Sequence, residues 1–146
     1  MSEWLEHSCQ VEVAVNVDRA WALWSNLEQM PRWMPWIRSV QVQAEAPEFS
    51  RWTLAAQGVE FSWQSRVTRQ IPNQIIQWES VDGLPNRGAI RFYERGPGRC
   101  IVRLSIAYQL PTMLQLLDNL VLGRFVESTL QADLDRFRRF AEAEER

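Results

Sequence analysis

Hydrophobic and polar residues alternate along "CQVEVAV" (residues 9–15), a period of two that predicts a strand with one buried face. The period then changes. In "NVDRAWALWSNL" (residues 16–27), Ala20, Trp24 and Leu27 recur at steps of four and three, the spacing of one helical face, and Asp18 is placed to cap it. Pro31 suits the first turn of a second short helix, and Pro35 its end. From residue 38 strand-like runs follow one another: "RSVQVQAEA", "SRWTLAAQ", "VEFSWQSRVTRQ", "QIIQWESV", "RGAIRFYER" and "RCIVRLSIAYQL". Turn-like "APEF", "GV", "IPN", "DGLPN" and "GPG" separate them, and such short spacings call for antiparallel hairpins.

Within these runs the two faces differ. Phe61, Trp63, Ser65 and Val67 share one side, as do Ile76, Trp78 and Ser80. Gly88, Ile90 and Phe92 form a third set, and Cys100, Val102, Leu104, Ile106 and Tyr108 a fourth. The reverse side of the last hairpin carries Arg91, Arg95, Arg99 and Arg103 and reads as solvated, so one face of the sheet is apolar and the other faces water. The chain closes with a long helix over about residues 113–143. Leu116, Gly123, Val126, Leu130, Leu134, Phe137 and Ala141 fall in one stripe of it, and Gly123 predicts a kink or break. The sum is an α+β fold in one domain spanning residues 1–146. It comprises a seven-stranded, bent antiparallel sheet wrapped around a long C-terminal helix, with two short helices after the first strand.

Composition then removes possibilities. The formal charge of −2 gives no global field for nucleic acid or an anionic membrane, so neither is an expected partner. All 16 basic residues are arginine, which excludes Schiff-base chemistry and a P-loop lysine. His7, the single histidine, stands ahead of the first predicted strand and reads as a solvated surface residue. With one histidine, neither a Ser-His-Asp triad nor a multi-histidine metal site is expected, and no cofactor is called for. Cys9 and Cys100 lack zinc or redox spacing. The N-terminus "MSEWLEHSCQ" has no basic segment leading into an apolar run, which points to the cytoplasm; no run is long enough to span a bilayer, though transient membrane contact stays open.

The chain resembles the START-like superfamily, the SRPBCC or polyketide cyclase/dehydrase and lipid transport group. The likeness is carried by "VDRAWALWSNLEQMPRWMPWIRSV", "IIQWES", "NRGAIRFYERGPGRCIVRLSIAYQLP" and the closing "LQADLDRFRRFAE". The resemblance runs nearly end to end and implies a helix-grip fold with a cavity between the sheet and the long helix. Branches of the superfamily include coenzyme Q-binding proteins, aromatase/cyclases and a ribosome-association toxin. The likeness is nearest to the generic cyclase/dehydrase and coenzyme Q-binding branches.

Residues 21–36 hold four of the eight tryptophans. Trp21 and Trp24, at helical spacing, read as core. Trp33 and Trp36, bracketed by prolines, read as a lid or mouth, while Trp63 and Trp78 sit where the fold would place its cavity. An empty hole of about 300 Å³ would cost on the order of 7 kcal/mol, so large side chains, water or a guest should fill it. The expected ligand-binding residues are therefore Trp33, Trp36, Trp63, Trp78, Phe92 and Tyr108 from the first helix pair and the strands. Asn119, Val126 and Leu130 join them from the helix. Glu127 and Tyr108 are the weak catalytic candidates, with an inward Arg66 as a third actor.

Three functions compete. The missing catalytic residues favour a non-enzymatic binder or carrier of a hydrophobic small molecule such as a lipid, an isoprenoid quinone or a polyketide. A polyketide aromatase/cyclase is the second reading. An RNA, ribosome or protein partner on the arginine face is the third. The oligomeric state is not legible.

Overall fold

The computed structural model describes residues 4–56, 58–109 and 119–144, and its elements follow the predicted order. Strand β1 (Leu5–Val13) leads into helix α1 (Val17–Ser25) and a 3₁₀ helix (Leu27–Arg32). Strands β2 (Ile37–Val42), β3 (Phe49–Ala56), β4 (Val59–Ile71) and β5 (Ile75–Gly83) follow. Strands β6 (Asn86–Glu94) and β7 (Cys100–Tyr108) complete the sheet, and helix α2 (Asn119–Glu144) ends the described chain.

The seven strands form one sheet in the order β1-β7-β6-β5-β4-β3-β2. Every neighbouring pair is antiparallel. Strands β2 to β7 are a meander of hairpins, whereas β1 and β2 occupy opposite edges. The α1 and 3₁₀ segment joins those edges and so crosses the width of the sheet, covering part of its inner face. Helix α2 packs mainly along β1 at one edge. Among the described residues, these two segments cover the inner face.

Three local expectations change. Helix α1 starts at Val17, one residue before Asp18, because Asn16 rather than Asp18 flanks it in an extended conformation. The Asn16 carbonyl accepts the Arg19 and Ala20 N–H groups at 3.0 and 3.2 Å. Its side-chain oxygen is diverted to the β6–β7 turn, where it accepts the Gly98 N–H at 2.7 Å. Gly98 takes a φ of +73° there, a conformation open to glycine at little cost. The second short helix is 3₁₀ and ends at Arg32, so Pro31 lies near its end rather than in its first turn. Trp33 follows the helix, its N–H bonded to the Met30 carbonyl at 3.1 Å. Finally, α2 runs unbroken through Gly123.

The predicted stripe on α2 is buried from Leu130 through Leu134, Phe137 and Ala141 and half-buried at Gly123 and Val126, while Leu116 lies outside the described residues. Each such fully buried leucine or phenylalanine contributes about 1.5–3 kcal/mol. The strand alternation is equally direct: Val102 and Leu104 are buried beside exposed Arg103. Arg95 and Arg99 are exposed as expected, and Arg91 is half-buried.

Candidate functional site

The cluster of tryptophans answers to packing at one end of the inner face. Trp33 is fully buried, not a lid, with ring centroids 5.3 Å from Trp24, 5.0 Å from Phe137 and 5.4 Å from Phe140. A residue bracketed by prolines reaches the core because the 3₁₀ helix delivers the chain straight down onto α2. Trp36 is half-buried, and its indole N–H donates to the Asp133 carboxylate of α2. Asp133, which the sequence did not single out, is buried and also accepts Arg136 Nη1 at 2.8 Å. The same nitrogen donates to the Trp33 carbonyl at 2.9 Å. Burial pushes the Asp133 carboxyl above the usual carboxylate range, and the bonds from Trp36 and Arg136 oppose that rise. This network ties the tryptophan corner to α2 and closes that end.

Next to it lies a small hollow of about 10 Å³, room for roughly one water. Its lining is Trp24, Leu27 and Met30 from the helical corner with Trp52, Ser65, Val67, Ile76, Trp78 and Ile90 from the sheet. The hollow therefore lies beneath α1 and the 3₁₀ helix, not between sheet and α2 as expected. Of the residues predicted to wall a ligand, Trp78 alone lines it. Trp63 stacks on Trp52 at 5.9 Å and is buried. Phe92 is buried edge-on to Trp21 at 5.5 Å. Leu130 is buried core and Val126 half-buried against it. The Asn119 side chain lies outside the described residues. Arg66 is exposed and bonded to Glu79 at 2.9 Å, so it does not point inward.

Beyond the hollow the strand register defines a row across the inner face: His7, Ile106, Gly88, Trp78 and Val67 are successive cross-strand partners. Gly88 is there because nothing larger fits. A Cβ on it would stand 2.6 Å from Trp78 Cζ2 and 2.8 Å from the Ser105 carbonyl. The Trp78 indole consequently lies over Gly88, one edge on the hollow, and remains half-buried together with Ile106 and Val67. Ile106, Gly88, Trp78 and Val67 along this row are half-buried, in contrast to the buried tryptophan corner.

His7 ends that row and is the residue sequence reasoning missed. It is the third residue of β1 and points inward, its side chain only 7% exposed. Its Nδ1 lies 3.3 Å from Glu127 Oε1 and its Nε2 3.1 Å from Tyr108 Oη, with the His7 and Tyr108 rings stacked at 5.7 Å. An ionised carboxylate only accepts, so the Nδ1–H donates to Glu127; in a neutral imidazole Nε2 is then the acceptor for the tyrosine hydroxyl. Burial raises the Tyr108 pKa and keeps the phenol protonated. Gly123 of α2 faces the imidazole, and a Cβ there would stand 3.5 Å from His7 Cε1, in ordinary contact. Glu127, Tyr108 and His7 thus form one hydrogen-bonded chain, the kind of arrangement that moves or holds a proton at the phenol oxygen. The signal was present in the sequence: extending the alternation of Cys9, Val11 and Val13 back by one step puts His7 on the inner face.

No other chemistry competes. Cys9 and Cys100 are free, and burial pushes each thiol up to about 11, which suppresses the thiolate. Among the described residues no group of three or more acidic, histidine or cysteine side chains could hold a metal ion. No described helix is long and apolar enough to cross a membrane.

Residues 13–138 match the family described as polyketide cyclase/dehydrase and lipid transport. An uncharacterized 17.2 kDa protein of Streptomyces lincolnensis is 25% identical over 133 residues, 90% of this chain and 86% of that one. Among solved structures, the Zhui aromatase/cyclase from Streptomyces sp. R1128 superposes with a TM-score of 0.79 at 18% identity, covering 99% of this chain and 97% of that chain. A START superfamily protein from Mycobacterium smegmatis gives 0.78 at 16% identity, covering 94% and 97%. At these identities the two structures establish the helix-grip architecture.

Proposed function

The chain belongs to the polyketide cyclase/dehydrase and lipid transport family, and from that premise we propose that it binds a flat, hydrophobic small molecule on the inner face of its sheet. The observation that carries this reading is the row through Trp78. There an indole lies over a glycine, between an apolar hollow and half-buried Ile106 and Val67. A hollow of about 10 Å³ holds no ligand as it stands. Small-molecule sites need roughly 300–1,000 Å³, so binding requires side chains to yield. Trp78 can swing off Gly88, and Met30 is an unbranched side chain that repacks readily. The guest then takes the place of the indole over Gly88 and extends into the hollow toward Trp52 and Ser65. A protein of this kind acts as a cytoplasmic binder or carrier.

Native mass spectrometry of the purified protein, followed by tryptophan fluorescence titration with long-chain quinones, sterols, fatty acids and aromatic polyketides, tests the reading. The expected result is a saturable change for one of these chemistries that Val67→Phe, which fills the hollow from its half-buried side, abolishes. No saturable response from any of them overturns it.

A second reading, an aromatase/cyclase type of enzyme, is favoured by one specific observation, the Glu127–His7–Tyr108 chain. In it the Tyr108 O–H would turn its single hydrogen from His7 Nε2 to a ligand carbonyl oxygen and bind it there, while Glu127 keeps His7 oriented beside the phenol. Tyr108→Phe would then retain binding and lose turnover of a poly-β-keto substrate. The third reading, an RNA or ribosome contact through the arginines, has less support: Arg99 stands 3.5 Å from Glu12 and Arg87 4.0 Å from Glu6, so the face alternates in charge.

A further inference from the structure

The outer face of the sheet, which the binding proposal does not use, carries a larger concavity than the inner one. It is an open bowl of about 550 Å³ over strands β1, β7, β6 and β5, reaching Thr68 of β4. Three rows of cross-strand partners build it. The middle row is small at its first three positions, with Ser8, Ser105 and Ala89 as successive partners, and ends on Gln77. Ala89, and Ala107 beside it, are buried although they point away from the core. Small side chains here leave the depression.

The flanking rows differ in charge. On one side Arg87 is already engaged, 4.0 Å from Glu6 and with its guanidinium over the Trp4 ring at 4.2 Å. On the other side Arg91 and Arg103 are direct partners across β6 and β7. Like charges placed opposite one another destabilise a sheet. Neither arginine has a carboxylate partner among the described residues; Arg103 Nε donates only to Ser8 Oγ at 3.2 Å. Ser8 Oγ in turn lies 3.3 Å from Ser105 Oγ. Two guanidinium groups without counter-charge stand on this rim, while on the opposite rim the carboxylates Glu6 and Glu79 lie near Arg87 and Arg66, with Ser8, Ser105 and Ala89 as the floor between them.

We infer that this bowl binds a small organic acid, its carboxylate held by Arg91 and Arg103 and its flat apolar body lying over Ala89 and Ala107. The planar guanidinium fork matches a carboxylate in a bidentate way. The volume falls within the range of small-molecule sites. A bare inorganic ion would satisfy the charge and leave the floor wet, so the occupant has a body as well as a charge.

The test uses 2-naphthoate with the full chain, read by amide chemical shifts at constant ionic strength. Saturable shifts at the Ala89, Ser105 and Ala107 amides are expected. Affinity should fall at least tenfold in the double variant Arg91→Gln/Arg103→Gln. It should fall at least tenfold again in Ala89→Leu, which fills the bowl and keeps both arginines. Shifts of equal size from inorganic phosphate would mean that charge alone binds, and would overturn the inference. Unchanged affinity in the double variant, or shifts confined to the Trp78 indole on the inner face, would overturn it equally.

Discussion

The two ends of the inner face are built from the same aromatic vocabulary and packed to different densities. At the tryptophan corner Trp24, Trp33 and Phe137 are almost wholly buried, each ring within 5.3 Å of the next. The Trp24 and Trp33 indole N–H groups have no protein hydrogen-bond partner among the described residues, so the ring packing there works against a desolvation penalty. At the other end Trp78 covers a glycine and stays half-buried. The cause is where the covers fall. Among the described residues, the segment after the 3₁₀ helix meets α2 at the first end, whereas along the row α2 reaches His7 and the 3₁₀ helix reaches the hollow beside Val67. A tryptophan is core in the first setting and a half-buried cover over a glycine in the second, with no change in residue type.

Removing the ring from each end should expose the contrast most plainly. Trp33→Ala should cost about 3–5 kcal/mol in denaturant unfolding, the penalty of a large fully buried side chain. Trp78→Ala should cost about 1–2 kcal/mol, because a half-buried indole has less contact to lose. Equal losses would mean that Trp78 is as much core as Trp33 and would remove the basis for a yielding cover. Gly88→Ala should cost about 1–3 kcal/mol through overpacking, and should displace the Trp78 indole, read as a shift in its fluorescence.

A finer probe is pH. The Asp133 carboxyl is raised above its ordinary value by burial. Between the unfolded and the folded pKa the native chain holds a proton that the unfolded chain has released. Stability contributed by this group therefore falls as pH rises through that window, beginning near about pH 4. Asp133→Asn should flatten this part of the curve of thermal midpoint against pH, and an unaltered slope would assign it to another group. The smallest effect is expected at the open end. The Glu127 carboxylate is 63% exposed, so Glu127→Gln should change stability by less than about 1 kcal/mol. A larger loss would show that the His7 chain holds the fold together rather than serving a ligand.

Much of this was legible in the residues. Strand alternation placed Val102, Leu104, Ile90 and Phe92 inward, and the 3.6-residue period picked out Leu130, Leu134 and Phe137, because burial on one side imposes those periods on any soluble chain. Trp33 was misread because its neighbours, two prolines, describe local backbone and say nothing about what lies 5.0 Å away in α2. For His7 the inward position was legible in the alternation of Cys9, Val11 and Val13, whereas its partners, 101 and 120 residues distant in sequence, were not.

The sequence by itself determined the element order, the two-faced sheet, the amphipathic terminal helix and the absence of lysine chemistry, since each is written in local spacing or composition. Only the tertiary structure decided which tryptophans are core, where the hollow lies, and that His7 joins Tyr108 to Glu127. Those depend on how strands register and where two covers meet, and no local period encodes distances between segments brought together by folding.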